Sequence, residues 1–372
     1  MVGAMGVAAP VAEAETKRRL NWRLLLEGFV LIVVIGAAAQ LLGWDLRGWF
    51  SNFWDVLSSI SVGYIIAGCA LKSVQTTLTA FAWYSILHYA YPGKIRWLDV
   101  LACYAASVAL NGILPANLGT LALLLMFTAI IAGATFAAMI GSYAVEKIFF
   151  TVIGAFVYVY LFLSVSGSFD IKFNFVHAHP WATAIFLLGG IYLIYLVLRR
   201  LWPRVVRWWD DAKEGGAILS KPRTYLLRVF TPSLLGWIAS LGVMAVFLAA
   251  YNIPVSFDTL MRIAGGNSIA NVTSATPGGA GVNQAFNVAS LKGIASSDQA
   301  AAYSVGQQLV TTAWNIIFGI ALMTWAFGWT GGKQLVSESY EGAKEKAAEQ
   351  KAAHEARKEA KRAAKAPDQG EA

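Results

Sequence analysis

Hydrogen-bonding side chains flank a Pro-Gly-Gly-Ala-Gly run in the second half of this chain, within the otherwise apolar stretch Thr259 to Leu291. Proline removes a backbone donor and glycine frees the backbone dihedrals, so a helix must break here. Unpaired amides at bilayer depth are costly, and the break must therefore be buried in protein or line a polar cavity. The residues of this stretch that are predicted to belong to a substrate-binding site are Asn267, Asn271, Pro277, Gly278, Gly279, Gly281, Asn283 and Gln284.

A second interruption lies in the first half of the chain, where Asn111, Pro115 and Gly119 disturb another apolar stretch. Paired interruptions in the two halves of a transporter indicate a binding site between them, where the N-termini of half-helices offer positive dipole ends to an anionic group. The alternative is that each interruption is a simple kink or loop turn.

Glu146 and Lys147 stand near the start of an apolar run, where charge is costly and often functional. Adjacent helical positions are separated by about 100°, so the two side chains cannot share one face. Glu146 could point into the bundle while Lys147 reaches the interface. The alternative is an ordinary cytoplasmic helix boundary.

Catalytic and metal-binding patterns have little support. The sequence contains no nucleotide-binding glycine loop, nucleophile elbow or zinc-protease helix. Cys69 and Cys103 both fall inside apolar runs, where a small buried hydrophobe is the simpler role. We therefore expect neither a cofactor nor a metal ion.

The elements that must position these residues follow from composition. The chain is 57% hydrophobic and only 13% charged, whereas soluble domains are about 25% charged. Runs of about 20 apolar residues match the bilayer core, which predicts an all-α polytopic membrane bundle with about eight spans plus a re-entrant broken-helix hairpin. The predicted spans are Leu24 to Leu42, Val56 to His88, Leu98 to Leu114, Leu118 to Ile140, Tyr143 to Val165, Trp181 to Leu198, Val229 to Tyr251 and Ala300 to Phe327.

Orientation follows from the distribution of Lys and Arg, which are retained on the cytoplasmic side. With both termini cytoplasmic, the outer segments hold only Arg47, Lys172, Arg262 and Lys292. The two interruptions are then entered from opposite sides, which suggests inverted halves. The predicted organisation is a cytoplasmic segment 1–22, a bundle 23–330 in the cell membrane and a charged cytoplasmic tail 331–372.

The formal net charge of +8 comes from loops close to the membrane, so nucleic acid is not the expected partner. One basic loop interleaves its arginines with Trp202, Trp208 and Trp209, which suits the headgroup zone of an anionic leaflet. A general positive-inside anchor and specific binding of a lipid headgroup both remain open. The arginines are Arg199, Arg200, Arg204 and Arg207.

The tail from Lys333 onwards is rich in Ala, Glu, Lys and Arg, with oppositely charged pairs at helical spacing. No apolar stripe is evident, so a solvated, partly frayed helix is the simpler interpretation. Docking of a partner or of anionic lipid is the alternative.

The run from Ala275 to Ala285 resembles the Pro-Gly-Gly-x-Gly signature of the flippase-like integral membrane family. This family includes the transmembrane region of bacterial lysylphosphatidylglycerol synthases. Asn111 to Gly119 resembles the family's Asn-x-x-x-Pro followed by glycine, and Glu146-Lys147 resembles its Glu-Arg helix start. The resemblance implies a membrane-embedded translocase of phospholipids or lipid-linked precursors, with membrane lipids as partners.

This chain departs from the family pattern at several charged positions, and only apolar residues stand at 121–127, where the family commonly has an arginine. Thr120 stands where an acidic residue is common, Gln284 where glutamate is common, and Lys147 where arginine is usual. The predicted site has therefore lost charge. Lysylphosphatidylglycerol synthases carry a large soluble aminoacyl-transfer domain, whereas only residues 331–372 follow the last span here, so we do not expect lipid synthesis. Two other functions stay open: a lipid-dependent transferase with Glu146 or Asp99 as base, and a non-transporting subunit that recruits a soluble enzyme.

Overall fold

A computed structural model of the protein describes residues 60–114, 118–164, 213, 215–273, 279 and 281–363. Several sequence predictions fall on other residues and lie outside the described ones. These are the N-terminal segment 1–22, the spans Leu24 to Leu42 and Trp181 to Leu198, the basic residues Arg199, Arg200, Arg204 and Arg207, and the two break residues Pro115 and Pro277 with Gly278.

The described residues are almost entirely helical and contain no strand, which confirms the predicted fold class. A short 3₁₀ turn, Ala217–Ser220, precedes the fifth helix, whose second turn Leu226–Phe230 is π-helical. The helices are α1 (Val62–Ala90), α2 (Trp97–Ile113), α3 (Leu118–Ile130), α4 (Phe136–Ser164), α5 (Pro222–Ala250), α6 (Phe257–Thr273), α7 (Val282–Ser290) and α8 (Ser297–Ala363).

Four helices of the described part are long and apolar enough to cross a membrane: α1, α4, α5 and α8. Helices α1 and α5 pack against each other through small residues. Gly68 and Gly242 of α1 and α5 each face a larger side chain of the other helix, Phe247 and Leu71 respectively. Gly236 of α5 faces the Thr79 hydroxyl in the same way. Small residues let helices approach closely in a bilayer, where lipid is as apolar as a leucine side chain.

Helices α2 and α3 form a hairpin whose two ends meet. Lys94, just before α2, donates through Nζ to the carbonyl of Ala132, just after α3, at 3.2 Å. With 17 and 13 residues, α2 and α3 extend only about 25 and 20 Å at 1.5 Å per residue. Neither reaches across the ~30 Å core of a bilayer. The hairpin therefore starts and finishes at one end of the bundle.

The predicted boundary between the fourth and fifth spans is wrong. The sequence suggested Leu118 to Ile140 followed by Tyr143 to Val165, whereas α3 ends at Ile130 and α4 begins at Phe136. The turn at residues 131–135 carries no charge, so hydropathy alone could not reveal it. Residues 140–143 lie within continuous helix instead.

Helix α8 changes direction at Gly328, which has φ 72° and ψ 165°. Only glycine adopts this conformation without strain. Residues 329–363 form a second helical segment, the C-terminal arm. The solvated helix expected for this region is wrong for the first turns of the arm, because Ser339 and Ala343 are 5% and 0% exposed and Val336 packs against the core of α1, α2 and α3.

Candidate functional site

The break around Pro277 is present in the structure. Helix α6 ends at Thr273 and α7 begins at Val282, so the stretch Thr259 to Leu291 is two helices and not one rod. Gly279 and Gly281 have φ angles of +72° and +83°. These values belong to the left-handed region, where a side chain is strained. Gly279 and Gly281 are therefore required by the backbone that joins the two half-helices.

Amide side chains hold the start of α7 in place. Gln284 accepts the backbone N–H of Gly281 at 2.6 Å through Oε1, which satisfies one of the amides that open the helix. The same side chain donates through Nε2 to Oε1 of Gln308 on α8. One turn later, Asn287 donates through Nδ2 to the Ser304 hydroxyl at 2.8 Å. The short helix α7 is thereby fastened to α8 by two side-chain hydrogen bonds.

The Asn283 side chain lies against Gly279. A methyl group built on Gly279 would collide with the Asn283 amide. Gly279 is buried. The packing therefore requires a residue without a side chain at position 279, in addition to the positive φ angle there.

The first interruption is bridged by one side chain. Asn111 of α2 donates through Nδ2 to the Thr120 hydroxyl at 3.0 Å and accepts the Thr120 backbone N–H at 3.2 Å. A methyl group on Gly119 would lie 2.6 Å from the Asn111 side-chain oxygen and 2.5 Å from the Ser107 carbonyl oxygen. Asn111 and Gly119 thus set how closely α2 and α3 approach at the tip of their hairpin.

Helix α8 contacts both interruptions within one turn. Gln308 bonds to Gln284 at the α6–α7 break, and Thr312 packs against Gly112, where a methyl group would lie 3.1 Å from the Thr312 Cγ2 atom. Four residues of helix correspond to a rise of about 6 Å. The two interruptions, separated by more than 150 residues of sequence, are therefore at nearly the same level of the bundle.

Polar groups continue from α8 onto the middle of α1. Trp314 donates through Nε1 to the Ser73 hydroxyl at 2.8 Å. Beside it, Lys72 donates through Nζ to the Gln75 side chain at 2.9 Å. A lysine and a glutamine in the middle of a long apolar helix are expensive unless they meet polar groups or water. This polar face of α1 extends the hydrogen-bonding surface around the two breaks.

Glu146 and Lys147 lie elsewhere, in the first half of α4. The Glu146 side chain is 4% exposed and that of Lys147 45% exposed. Lys147 Nζ lies 3.1 Å from Glu146 Oε2, close enough for an ion pair, although Oε2 has no hydrogen bond of good geometry among the described residues. Lys147 also lies over the rings of Tyr143 and Phe150, 4.8 Å from each centroid. The ammonium thus stands at the surface above a buried carboxylate.

Comparison with known families gives one match. The model of the lysylphosphatidylglycerol synthase transmembrane region matches residues 23–319. This chain belongs to that family. A comparison with curated proteins finds no match. As a lysylphosphatidylglycerol synthase transmembrane-region protein, it is a multi-pass membrane protein linked to lipid metabolism or translocation.

The family match includes both interruptions and the part of α8 that joins them, and it ends before Gly328. Among the predicted site residues, this family member brings Gln284, Asn283 and Gly279 together at one break, and Asn111 with Gly119 at the other. Asn267 is half-buried on α6, and Asn271 lies in the last turn of that helix.

Sequence reasoning missed the residues of α8. Ser304, Gln308 and Thr312 were not predicted as site residues, although each contacts an interruption or its flanking helix. Their signal was present as polar residues at helical spacing inside an apolar span. That signal was weaker than the one from the prolines and glycines. The sequence does not show which of several possible neighbours an isolated polar residue in a span contacts.

Proposed function

We propose that this protein is a translocase that moves a phospholipid or a lipid-linked precursor between the two leaflets. The observation that carries the proposal is the contact of one helix, α8, with both helix interruptions, through Gln308 at one and Thr312 at the other. A lipid headgroup needs hydrogen-bonding partners throughout its passage, and amides and hydroxyls at the two breaks supply them.

The two half-helix hairpins approach this level from opposite ends of the bundle. Lys94 and Arg96 lie at the open end of the α2–α3 hairpin, and Lys221, Arg223 and Arg228 lie at the start of α5. Because basic residues are retained in the cytoplasm, this end is assigned to the cytoplasmic side. The α6–α7 hairpin opens at the other end, which gives the inverted arrangement typical of alternating-access carriers.

The chemistry of the breaks favours a headgroup that is recognised by hydrogen bonds. Thr120 and Gln284 are neutral, and both take part in hydrogen bonds that hold the half-helices. A substrate with several hydroxyl or phosphate oxygens fits such a surface, because side-chain amides and hydroxyls donate hydrogen bonds to those oxygens. No carboxylate is needed for this recognition. We therefore favour an anionic or glycosylated lipid over a cationic one.

The proposal is tested by lipid flipping in proteoliposomes that contain a quenchable fluorescent phospholipid. Replacing Gly112 by leucine places a side chain where Thr312 lies, and we expect the flip rate to fall about tenfold or more, because the close approach of α2 and α8 is lost. The matched control is Gly154→Leu on α4, where a methyl group would meet nothing within 4 Å. Equal rates for the intact protein, the control and Gly112→Leu would contradict the proposal.

A further inference from the structure

A cavity of about 290 Å³ lies between α4, α6 and α7, at the end of the bundle opposite Lys94. Leu161 near the end of α4 contributes to its wall, 25 residues or about 37 Å along the helix from Phe136. Two adjacent glycines of α6 allow the close packing around it: Gly265 faces Leu161, and Gly266 faces Ser290 of α7. The cavity is distinct from the two helix breaks.

Two cations line this cavity, Arg262 of α6 and Lys292 just after α7. The Arg262 Nε atom is buried and has no hydrogen-bond partner among the described residues. The nearest acidic side chain along α6 is Asp258, one turn earlier, and its carboxylate accepts a hydrogen bond from Tyr160. The carboxylate is thus engaged by α4, and Asp258 does not line the cavity.

The two cations are not equivalent. Lys292 is exposed and follows the C-terminus of α7, whose partial negative charge favours a cation there without any ligand. Arg262 is in the second turn of α6 and has no helix C-terminus of its own beside it to favour its charge. The Arg262 side chain is half-buried with its Nε atom enclosed, and its planar donors suit the oxygens of a phosphate.

We propose that this cavity binds the phosphate of an anionic ligand, with Arg262 as the principal donor and the Ser290 hydroxyl and Lys292 as supporting groups. The inference rests on the proposed function for the identity of the ligand, a phospholipid headgroup in the outer leaflet. The shared chemistry is a phosphate mono- or diester, and a free phosphate ion is the other source. The cavity is a place where a headgroup waits before or after passage.

The experiment uses the purified full chain in a non-ionic detergent. Dioleoylphosphatidylglycerol is titrated in, bound lipid is counted by native mass spectrometry, and dioleoylglycerol, which lacks a phosphate, is the comparison. We expect saturable binding of the phospholipid alone, weakened about tenfold in Arg262→Gln, which removes a charge-assisted hydrogen-bond donor. The matched control is Arg223→Gln, an exposed cation at the other end of the bundle, whose affinity should equal that of the intact protein.

Two further variants keep the test valid if Arg262→Gln does not fold. Arg262→Lys retains the charge and loses the forked donor, so its affinity should fall between those of the intact protein and the glutamine variant. Lys292→Gln should weaken binding less than either substitution of Arg262. Equal affinity for the phospholipid in the intact protein and all three variants would overturn the proposal.

Inorganic phosphate in a parallel titration distinguishes the two sources. If inorganic phosphate binds in an Arg262-dependent way and phospholipid does not bind, the cavity is a site for a free ion. If phospholipid binding depends on Arg262, the cavity is a site for a headgroup. Because the measurement is made at equilibrium without transport, a protein that binds phospholipid through Arg262 and moves none would contradict the translocase and leave the anion site standing. A protein that flips lipid but shows no Arg262-dependent binding would contradict the anion site and leave the translocase standing.

Discussion

The side-chain amide of Gln284 donates a hydrogen bond to the side-chain oxygen of Gln308, across 24 residues of sequence. This bond ties the first turn of α7 to the middle of the membrane-crossing part of α8. It also connects the glycine motif to the other interruption, because Thr312 on the next turn of α8 packs against Gly112. Four predictions follow from this bond and from comparable contacts, each tested by a matched substitution.

We expect Gln284→Leu and Gln308→Leu to be coupled. Each single change should lower the free energy of unfolding by about 1 kcal/mol, because a partly buried amide loses its partner. The double variant should be less destabilised than the sum, by about 0.5–1 kcal/mol. Denaturant titration of the purified protein measures all three. Gln334→Leu, on the exposed side of the C-terminal arm, is the control and should change little; strictly additive effects would refute the bond.

Asn111→Ala should destabilise the protein more than Thr120→Val. The alanine removes both hydrogen bonds of the bridge and leaves the Thr120 backbone N–H without its acceptor, whereas the valine removes only the hydroxyl. We expect a loss of about 1–3 kcal/mol for the first and about 1 kcal/mol for the second. Thermal unfolding in detergent measures the order. Thr151→Val on the exposed face of α4 serves as the control for the threonine change.

Lys147→Met should be more harmful than Glu146→Gln. The methionine leaves a buried carboxylate without the ammonium 3.1 Å away, whereas the glutamine is neutral and leaves a lysine that can be hydrated. Because Lys147 is half exposed, we expect a difference of about 1–2 kcal/mol, less than for a fully buried pair. The double variant should recover stability relative to Lys147→Met. If the double variant is the least stable of the three, the carboxylate is not the source of the effect.

Two neighbouring glycines test the docking of the C-terminal arm. A side chain on Gly332 would lie 3.1 Å from the Met323 carbonyl oxygen, whereas one on Gly331 has only an ordinary contact with Phe327. Gly332→Leu should therefore release the arm and raise the rate of trypsin cleavage at Lys346, which lies over the Phe136 ring in the docked arm. We expect a change of about tenfold, corresponding to about 1.4 kcal/mol of lost docking. Equal cleavage of Gly331→Leu and Gly332→Leu would show that the close contact at Gly332 does not hold the arm in place.

The features that the sequence predicted well are those with strong local causes. Apolar runs and sparse charge lead to a membrane helix bundle, and proline with three glycines leads to a break between Thr273 and Val282. Both effects act within a few residues of the chain. A single sequence therefore carries them in full.

The features that the sequence did not predict depend on contacts between distant residues. The turn at residues 131–135 is apolar and is fixed by Lys94, which approaches Ala132 from the far end of α2. The pairing of Gln284 with Gln308 depends on the position of α8. The docking of the arm depends on three small residues at helical spacing, Gly332, Ser339 and Ala343. Because many charged residues surround them, the sequence alone predicts a solvated surface there.

Gly328 has a mechanical consequence. Residues 329–363, a rod of about 50 Å at 1.5 Å per residue, are joined to the membrane-crossing part of α8 by that single residue. Because the first turns of the arm pack against the core of α1, α2 and α3, the arm moves with those helices, and a tilt of a few degrees displaces its far end by several ångströms. A spectroscopic label at the exposed residue Ala352 would convert the state of the buried breaks into a displacement readable in the aqueous phase.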